Sequence, residues 1–128
     1  VAEAAVDTLQ LLDRAVVERL LVTKLFIELT QFTQLSGILH ERGALRRTPA
    51  GVAILEFSLM HESMQIESSV ERKVCCEMDC VAIGNQAQML ATVKPGIALI
   101  VSGFLAARSL KRKTPVLHVN TIEFVEGN

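Results

Sequence analysis

A turn followed by a long alternating segment, between Leu45 and Ser63, is the feature of this sequence that most constrains the fold. Pro49 and Gly51 predict a tight reversal of the chain, because proline fixes φ and glycine tolerates a positive φ. Beyond the turn, Leu55, Phe57 and Leu59 alternate with Glu56, Ser58 and Met60. A period of two is typical of a half-buried strand and not of a helix. We therefore expect a sheet with one face in water, built around this segment.

The length and charge of the chain exclude several classes of protein. The 128 residues correspond to one domain of ordinary size. No run approaches the roughly 18–20 apolar residues that a membrane-spanning helix needs. The formal net charge of −1 favours no particular partner, so any electrostatic role must come from local clusters. The chain has no Trp or Tyr and only five Phe, which we expect mostly in the core, so base stacking on aromatics is expected to be weak.

The three cysteines, Cys75, Cys76 and Cys80, lie in one strand-like segment. Adjacent side chains on a strand point to opposite faces, and the number is odd, so neither a disulfide framework nor a zinc site is expected. We predict reduced thiols, mostly buried. The amino-terminal residues include Glu3 and Asp7 and do not resemble a secretory signal. These observations predict a cytoplasmic protein.

Residues 1 to about 29 differ from the rest because their apolar residues recur at helical spacing. These residues are Leu9, Leu12, Val16, Leu20 and Leu21. They predict an amphipathic helix, with Asp7 as its N-cap, that packs on the body of the protein or on a partner. A coiled coil would need more heptads, and a membrane-surface helix would need a basic polar face. A third alternative is a dispensable extension.

The remaining chain predicts a mainly β fold. The first strand runs from Phe32 to Leu39 and closes at Gly43, with a bulge or bend expected at Gly37. A hairpin loop is expected over residues 65–69, followed by a third strand from Val70 to Ala82 in which Val74, Cys76, Met78 and Cys80 share one face. A helix over residues 85–93 is expected to be capped by Asn85 and stopped by Lys94-Pro95-Gly96. Two more strands follow, over residues 97–107 and 116–125.

This order of elements matches the OB-fold, a five-stranded Greek-key barrel. We therefore predict a barrel with one short helix between strands 3 and 4, plus an amino-terminal helical extension. The predicted domains are the extension, residues 1–31, and the OB-fold, residues 32–128.

Two basic clusters fall in the loops that bind oligonucleotides in OB-folds, between strands 1 and 2 and between strands 4 and 5. The first contains Arg46 and Arg47, and the second contains Arg108, Lys111, Arg112 and Lys113. We expect Arg72 and Lys73, on the third strand, to lie nearby. The combined charge predicts nucleic-acid binding that is mainly electrostatic, with Arg72 and Arg108 as possible stacking surfaces in place of aromatics.

No catalytic constellation is apparent. His40, His61 and His118 lie in or at the ends of predicted strands, without a metal-ligand spacing. The run His61-Glu62-Ser63 contains the residue types of a catalytic triad, but neighbours on a strand point to opposite faces. We therefore predict no enzymatic activity, no catalytic residues, no metal site and no cofactor.

Four segments resemble the primosomal replication protein N (PriB) family, bacterial relatives of single-stranded-DNA-binding proteins. They are Leu45-Arg46-Arg47-Thr48-Pro49-Ala50-Gly51, Leu59-Met60-His61-Glu62-Ser63, Val101-Ser102-Gly103-Phe104-Leu105 and Leu117-His118-Val119. The likeness covers about residues 32–126 and leaves residues 1–31 outside it. Val70 and Cys75 stand where some members carry aromatics on the third strand.

The resemblance implies a homodimer of OB-folds that binds single-stranded DNA and acts in the primosome during replication restart, in contact with the restart helicase. Family DNA-binding positions correspond here to Arg47, Arg72, Arg108, Lys111, Arg112 and Lys113. Two alternatives share the same charge pattern. One is a protein-interaction barrel with no physiological DNA contact, and the other is an RNA-binding OB domain of the translation apparatus.

Overall fold

The computed structural model describes residues 14–125, except for the side chains of residues 25–29. The chain divides into two units, Val1–Gln31 and Phe32–Asn128. In the first unit, helix α1 (Arg14–Leu29) has Val16, Leu20 and Leu21 exposed, three of the residues predicted to form its apolar face. The predicted cap Asp7 and the apolar Leu9 and Leu12 lie outside the described residues. No helix in residues 14–125 is long and apolar enough to cross a membrane.

The second unit is a closed barrel. Its elements are β1 (Thr33–Arg42), β2 (Arg46–Arg47), β3 (Ala53–Glu67), β4 (Val70–Ile83), α2 (Asn85–Leu90), β5 (Ala98–Ala107) and β6 (Pro115–Phe124). The five long strands are joined in the order β1-β5-β6-β4-β3, and pairing of β3 with β1 closes the ring. Only β4 and β6 run parallel among these pairs. The predicted OB-fold, with its short helix between the third and fourth long strands, is confirmed.

The core is formed by the inward side chains of alternating positions. Leu55 and Leu59 of β3 are fully buried together with Leu39, Leu99 and Leu117 from three other strands. Helix α2 adds the buried Ala87 and Leu90 to this cluster. The alternation predicted for β3 is therefore correct except at Ser58. That residue was predicted on the polar face but is buried, where its Oγ accepts a hydrogen bond from the Glu41 amide at 3.2 Å.

Gly37 permits a close approach between strands and is not the site of a bulge. It pairs in register with Leu99, whereas the register of β1 on β3 shifts between Leu39 and Glu41. A Cβ atom at Gly37 would lie 2.6 Å from the carbonyl oxygen of Met60 on β3. The bulge predicted at Gly37 is therefore wrong, since the register shift lies between Leu39 and Glu41. Glycine is needed at position 37 because the backbone of β3 leaves no room for a side chain.

The hairpin of β3 and β4 extends beyond the barrel. Pairing of β1 with β3 stops at Met60, whereas β3 and β4 remain paired from His61–Cys76 out to Glu67–Val70. We call residues 61–76 the β-arm. The hairpin predicted over residues 65–69 is present, but its loop is shorter than predicted, since strand β3 continues to Glu67 and the turn consists of Ser68 and Ser69, both at positive φ.

Helix α2 is shorter than predicted. It ends at Leu90 instead of Val93, and the residue at its N-cap is Gly84, with φ 73° and no side-chain hydrogen bond. The cap predicted for Asn85 is therefore wrong. The amides of Thr92 and Val93 donate to the carbonyls of Met89 and Leu90, so the chain leaves the helix in a tight turn before Pro95.

The cysteines are free but only one is buried. Cys75 and Cys76 are exposed because they lie on the β-arm, which has no barrel interior behind it. Cys80 lies in the core, and burial, followed by the charge of Asp79, raises the pKa of its thiol to about 12. The predicted burial was therefore correct for Cys80 alone.

Candidate nucleic-acid interface

The first basic segment is a short strand rather than a loop. Arg46 and Arg47 form β2 and pair with Ile54 and Ala53. The reversal that follows is built as predicted, with Gly51 at φ 86° and its amide donating to the Thr48 carbonyl at 2.8 Å. This pairing fixes the two arginine backbones at the edge of the sheet.

The second basic segment is a compact turn between β5 and β6. The Arg108 amide donates to the Thr114 carbonyl at 3.1 Å, and the Ser109 amide donates to the Arg112 carbonyl at 3.0 Å. The side chains of Lys111, Arg112 and Lys113 are exposed and make no ion pair with any described residue. The turn therefore holds three uncompensated positive charges together.

The two basic segments meet on the outside of the barrel. Arg46 and Arg108 line one pocket of about 220 Å³, on the outer face of β3, β4 and β6. Its floor includes Val81 and His118. Arg46 lies on β2, and Arg108 begins the β5–β6 turn. The pocket therefore joins two basic segments that are far apart in the sequence.

Arg72 and Lys73 do not join this group. They lie on the β-arm opposite Gln65 and Met64, so their side chains point to opposite faces of the ribbon. Arg72 is seven positions from Asp79, the carboxylate that pairs with Arg108, which corresponds to roughly 23 Å of extended strand. A ligand on the outer face of the barrel would need to continue along the β-arm to reach either residue.

Half of the eight predicted basic residues are paired with carboxylates. The pairs are Arg46–Glu56 at 3.6 Å, Arg72–Glu67 at 3.0 Å, Lys73–Glu62 at 3.0 Å and Arg108–Asp79 at 2.6 Å. The hydrogen bond and charge of Glu62 raise the pKa of Lys73.

Exposed pairs of this kind contribute at most about 1 kcal/mol to stability, so an incoming phosphate can compete for the cation. Among the described residues, the predicted cations without an ion pair are therefore those of the β5–β6 turn and Arg47, whose guanidinium donates a hydrogen bond to the Gly51 carbonyl.

Arg42 is a basic residue that the sequence analysis missed. It shares a pocket of about 310 Å³ with Arg108, and the Nε atoms of both arginines are buried without a hydrogen-bond partner in the described structure. Glu41, Glu56 and Asp79 line the same pocket and offset its positive charge. Arg42 is the last residue of β1, and Gly43, Ala44 and Leu45 separate it from Arg46, so the sequence analysis did not group it with that basic run.

An aromatic pair on the outer surface was also missed. Phe104 of β5 and His118 of β6 are register partners whose rings stack at 5.0 Å with an interplanar angle of 3°. Phe104 is 40% exposed, although the sequence analysis placed most phenylalanines in the core. Strand β5 is apolar at nearly every position, which concealed the alternation that places this side chain outside.

His61, Glu62 and Ser63 do not form a catalytic triad. His61 Nδ1 donates to the Ser36 carbonyl at 2.7 Å, and its Nε2 lies 2.7 Å from Ser63 Oγ. Glu62 points to the other face of the β-arm, where it pairs with Lys73. The described residues also include no cluster of side chains suited to a metal ion.

Comparison with known proteins agrees with this geometry. A family model described as "another single-strand binding protein family" matches residues 32–121. The replication restart protein PriB of Bordetella pertussis is 36% identical over 95 residues, which cover 74% of this chain and 89% of that protein. The PriB of Nitrosomonas europaea is 31% identical over 91 residues, or 71% of this chain and 84% of that one.

Solved structures give the same relationship. The structure of PriB from Ralstonia solanacearum matches with a TM-score of 0.68 and 32% identity, over 75% of this chain and 98% of that chain. The single-stranded DNA binding protein of Thermus aquaticus matches with a TM-score of 0.62 and 28% identity, over 76% of this chain and 50% of that chain. The resemblance noted in the sequence is confirmed, and the chain belongs to the PriB family, which is related to the single-stranded-DNA-binding proteins.

Proposed function

We propose that this chain is a non-enzymatic component of the primosome that binds single-stranded DNA during replication restart, in the cytoplasm. One observation carries the proposal. Arg46 and Arg108 meet in one pocket beside the three uncompensated charges of Lys111, Arg112 and Lys113. The names of its relatives, replication restart protein and single-stranded DNA binding protein, support the same assignment.

The proposed contact runs across the outer face of the barrel. The cations of the β5–β6 turn and Arg47 bind phosphates, and Arg46 and Arg108 exchange their carboxylate partners for phosphate oxygens. On single strands, each phosphate bound contributes about 0.7 to the slope of log affinity against log salt. A longer strand continues onto the β-arm and contacts Arg72 on one face or Lys73 on the other.

The proposal includes a homodimer. Residues Thr33–Gly37 of β1 pair with β5 on one side and, within the described residues, with no strand on the other. An unpaired strand edge is a template for pairing with a second copy. We propose that this edge forms the dimer, and that the dimer presents its remaining surface to the restart helicase and other primosome proteins. Sedimentation of the purified protein as a monomer at micromolar concentration would contradict the dimer.

The DNA contact is tested by fluorescence anisotropy with a labelled single strand and the corresponding duplex at two salt concentrations. We expect preference for the single strand and weaker binding at the higher salt. Reversing the three charges of the turn (Lys111→Glu, Arg112→Glu, Lys113→Glu) should weaken binding at least about tenfold at low salt. Lys94→Glu is the control, because Lys94 is exposed on a loop outside the proposed interface.

Two results would contradict the proposal. Equal affinity of the triple variant and the wild type would remove the β5–β6 turn from the interface. Absence of binding by the wild type at low salt would exclude single-stranded DNA as the ligand and favour the protein-interaction alternative, with the restart helicase as the partner to test next.

A further inference from the structure

A second pocket, of about 320 Å³, lies beside α2 on the outer face of the barrel. Val81 and Ile83 of β4 supply an apolar wall, and the stacked rings of Phe104 and His118 supply an aromatic one. The volume is at the small end of the range for pockets that bind organic ligands. No Asp, Glu, Lys or Arg side chain lines this pocket, which distinguishes it from the two pockets that contain arginines.

The polar lining of this pocket consists of amides, and one of them lacks a partner. Gln86 Oε1 is buried and accepts no hydrogen bond from the described residues. A buried acceptor left unpaired is costly, and such atoms are rare in folded proteins. The unpaired oxygen is therefore an acceptor available to a ligand that donates an N–H or O–H group.

The position of Asn120 supports this conclusion independently. Pairing of β5 with β6 passes from Ser102–Thr121 to Gly103–Val119, so Asn120 is left out of the ladder as the extra residue of a bulge. Bulges redirect a side chain and are frequent beside functional sites. Here the redirected amide lines the same pocket as Gln86.

We propose that this pocket binds one unstacked base of the single-stranded DNA, an inference that rests on the proposed function. A base has flat apolar faces, which suit the ring pair and the Val81–Ile83 wall, and an edge of N–H and carbonyl groups, which suits amides. Every base carries at least one N–H on that edge, so Gln86 Oε1 accepts from it without selecting one sequence.

The pocket is continuous with the proposed phosphate-binding surface. Val81, Ile83 and His118 line both this pocket and the one that contains Arg46 and Arg108. A strand whose phosphates lie on those arginines is therefore adjacent to the ring pair and can turn a base into the pocket. Stacking in this position supplies the aromatic contribution that a chain without Trp or Tyr otherwise lacks.

The experiment compares an ordinary oligonucleotide with one of equal length in which the bases are replaced by abasic sites. The phosphates are the same in both, so the ratio of the two affinities isolates the contribution of the bases. We expect the wild type to prefer the ordinary strand at least about fivefold, the lower end of what one stacked base contributes. Phe104→Leu should reduce that ratio by at least about fivefold.

Phe124→Leu is the matched control, since Phe124 is 38% exposed, also on a barrel strand, but does not line the pocket. An unchanged ratio in Phe104→Leu, or an equal loss in Phe124→Leu, would overturn the inference. If wild type binds neither oligonucleotide at low salt, the proposed function fails instead. Binding of both with equal affinity by the wild type would leave the proposed function standing and remove the base pocket.

Gln86→Leu provides a second variant that separates structure from binding. Leucine is a good helix former of similar length, and it removes the unpaired buried oxygen. We therefore expect the melting temperature to stay the same or rise, while preference for the ordinary strand over the abasic one falls. A normal preference in Gln86→Leu would exclude the glutamine from base recognition and overturn this part of the inference.

Discussion

Arg108 donates a hydrogen bond to Asp79 Oδ2 at 2.6 Å and so attaches the β5–β6 turn to strand β4. The side chain of Arg108 is only 25% exposed, whereas that of Asp79 is 57% exposed. The aspartate therefore both orients the arginine and adds a negative charge beside the cations of the turn. It also contributes to the raised pKa of Cys80, which follows it on the strand.

Replacing Asp79 with Asn should strengthen the binding of single-stranded DNA. The change removes one negative charge close to the proposed phosphate contacts and frees Arg108 to bind a phosphate. We expect affinity at low salt to rise about three- to fivefold. Stability should change by no more than about 1 kcal/mol, since Asp79 is more than half exposed and asparagine still accepts a hydrogen bond from Arg108. Anisotropy titrations check the first effect and urea denaturation the second.

Glu123→Gln is the control for this prediction. It removes the same charge from an exposed position on β6 that lines neither pocket containing Arg108. An equal gain in affinity for both variants would mean that the effect reflects net charge and not the Arg108–Asp79 pair.

The buried thiol of Cys80 should make the fold sensitive to alkaline pH. Its pKa in the folded protein is about 12, compared with an ordinary value of 9.0. Below about pH 9 the thiol is protonated in both states, so the full stability is present. Above that pH the unfolded chain loses the proton while the folded chain keeps it, so the free energy of unfolding falls, by up to about 1.4 kcal/mol per pH unit.

Urea denaturation between pH 9 and pH 12 measures this effect in the wild type and in Cys80→Ala. The variant lacks the thiol but keeps every lysine, so the difference between the two slopes isolates Cys80. Equal slopes would show that the thiol does not titrate as its burial implies.

Gly103 should tolerate no side chain. A Cβ at this position would overlap the carbonyl oxygen of His118, at the point where the β5–β6 register shifts. Because the obstruction is backbone, neither strand can relax without loss of pairing. Gly103→Ala should therefore destabilise the barrel by at least about 3 kcal/mol. Thermal and urea denaturation measure this cost.

Gly43→Ala is the matched control, because its Cβ would lie 3.2 Å from the Glu56 carbonyl oxygen and needs only a small adjustment. A similar cost for both alanines would mean that backbone contact at Gly103 is not the cause. The bulge that Gly103 permits also displaces Asn120, so the same glycine is required for the geometry of the proposed base pocket.

Alternation and glycine positions were sufficient to predict the barrel. The period of two in β3 identified its buried face, and Gly51, at positive φ, marked the turn before it. The length of the β-arm was not predictable in this way. Gln65 and Glu67 look like loop residues, but a two-stranded ribbon with both faces in water accepts polar side chains in strand conformation.

The candidate site was predictable only where charge is concentrated in the sequence. The run from Lys111 to Lys113 stands out, and the fold brings Arg46 close to Arg108 as OB-fold topology requires. Ion pairs were not predictable, because Glu56 and Asp79 become partners of arginines only through strand pairing. Phe104 and His118 were missed for the same reason, since their stacking depends on the register of β5 against β6.

Substitutions in the turn at the tip of the β-arm should increase the stability of the arm. Ser68 and Ser69 have φ values of 50° and 65°, a combination that two-residue hairpin turns require and that Asn-Gly adopts more readily. The double substitution Ser68→Asn, Ser69→Gly should therefore stabilise the β-arm by about 1 kcal/mol. Ser68→Ala, Ser69→Ala is the control, because alanine gains nothing at positive φ.

An isolated two-stranded ribbon is marginally stable, so the gain in the Asn-Gly variant should appear as about fivefold slower amide exchange in residues 61–76, with little change in the barrel. Unchanged exchange in the Asn-Gly variant would mean that the tip does not limit opening of the β-arm.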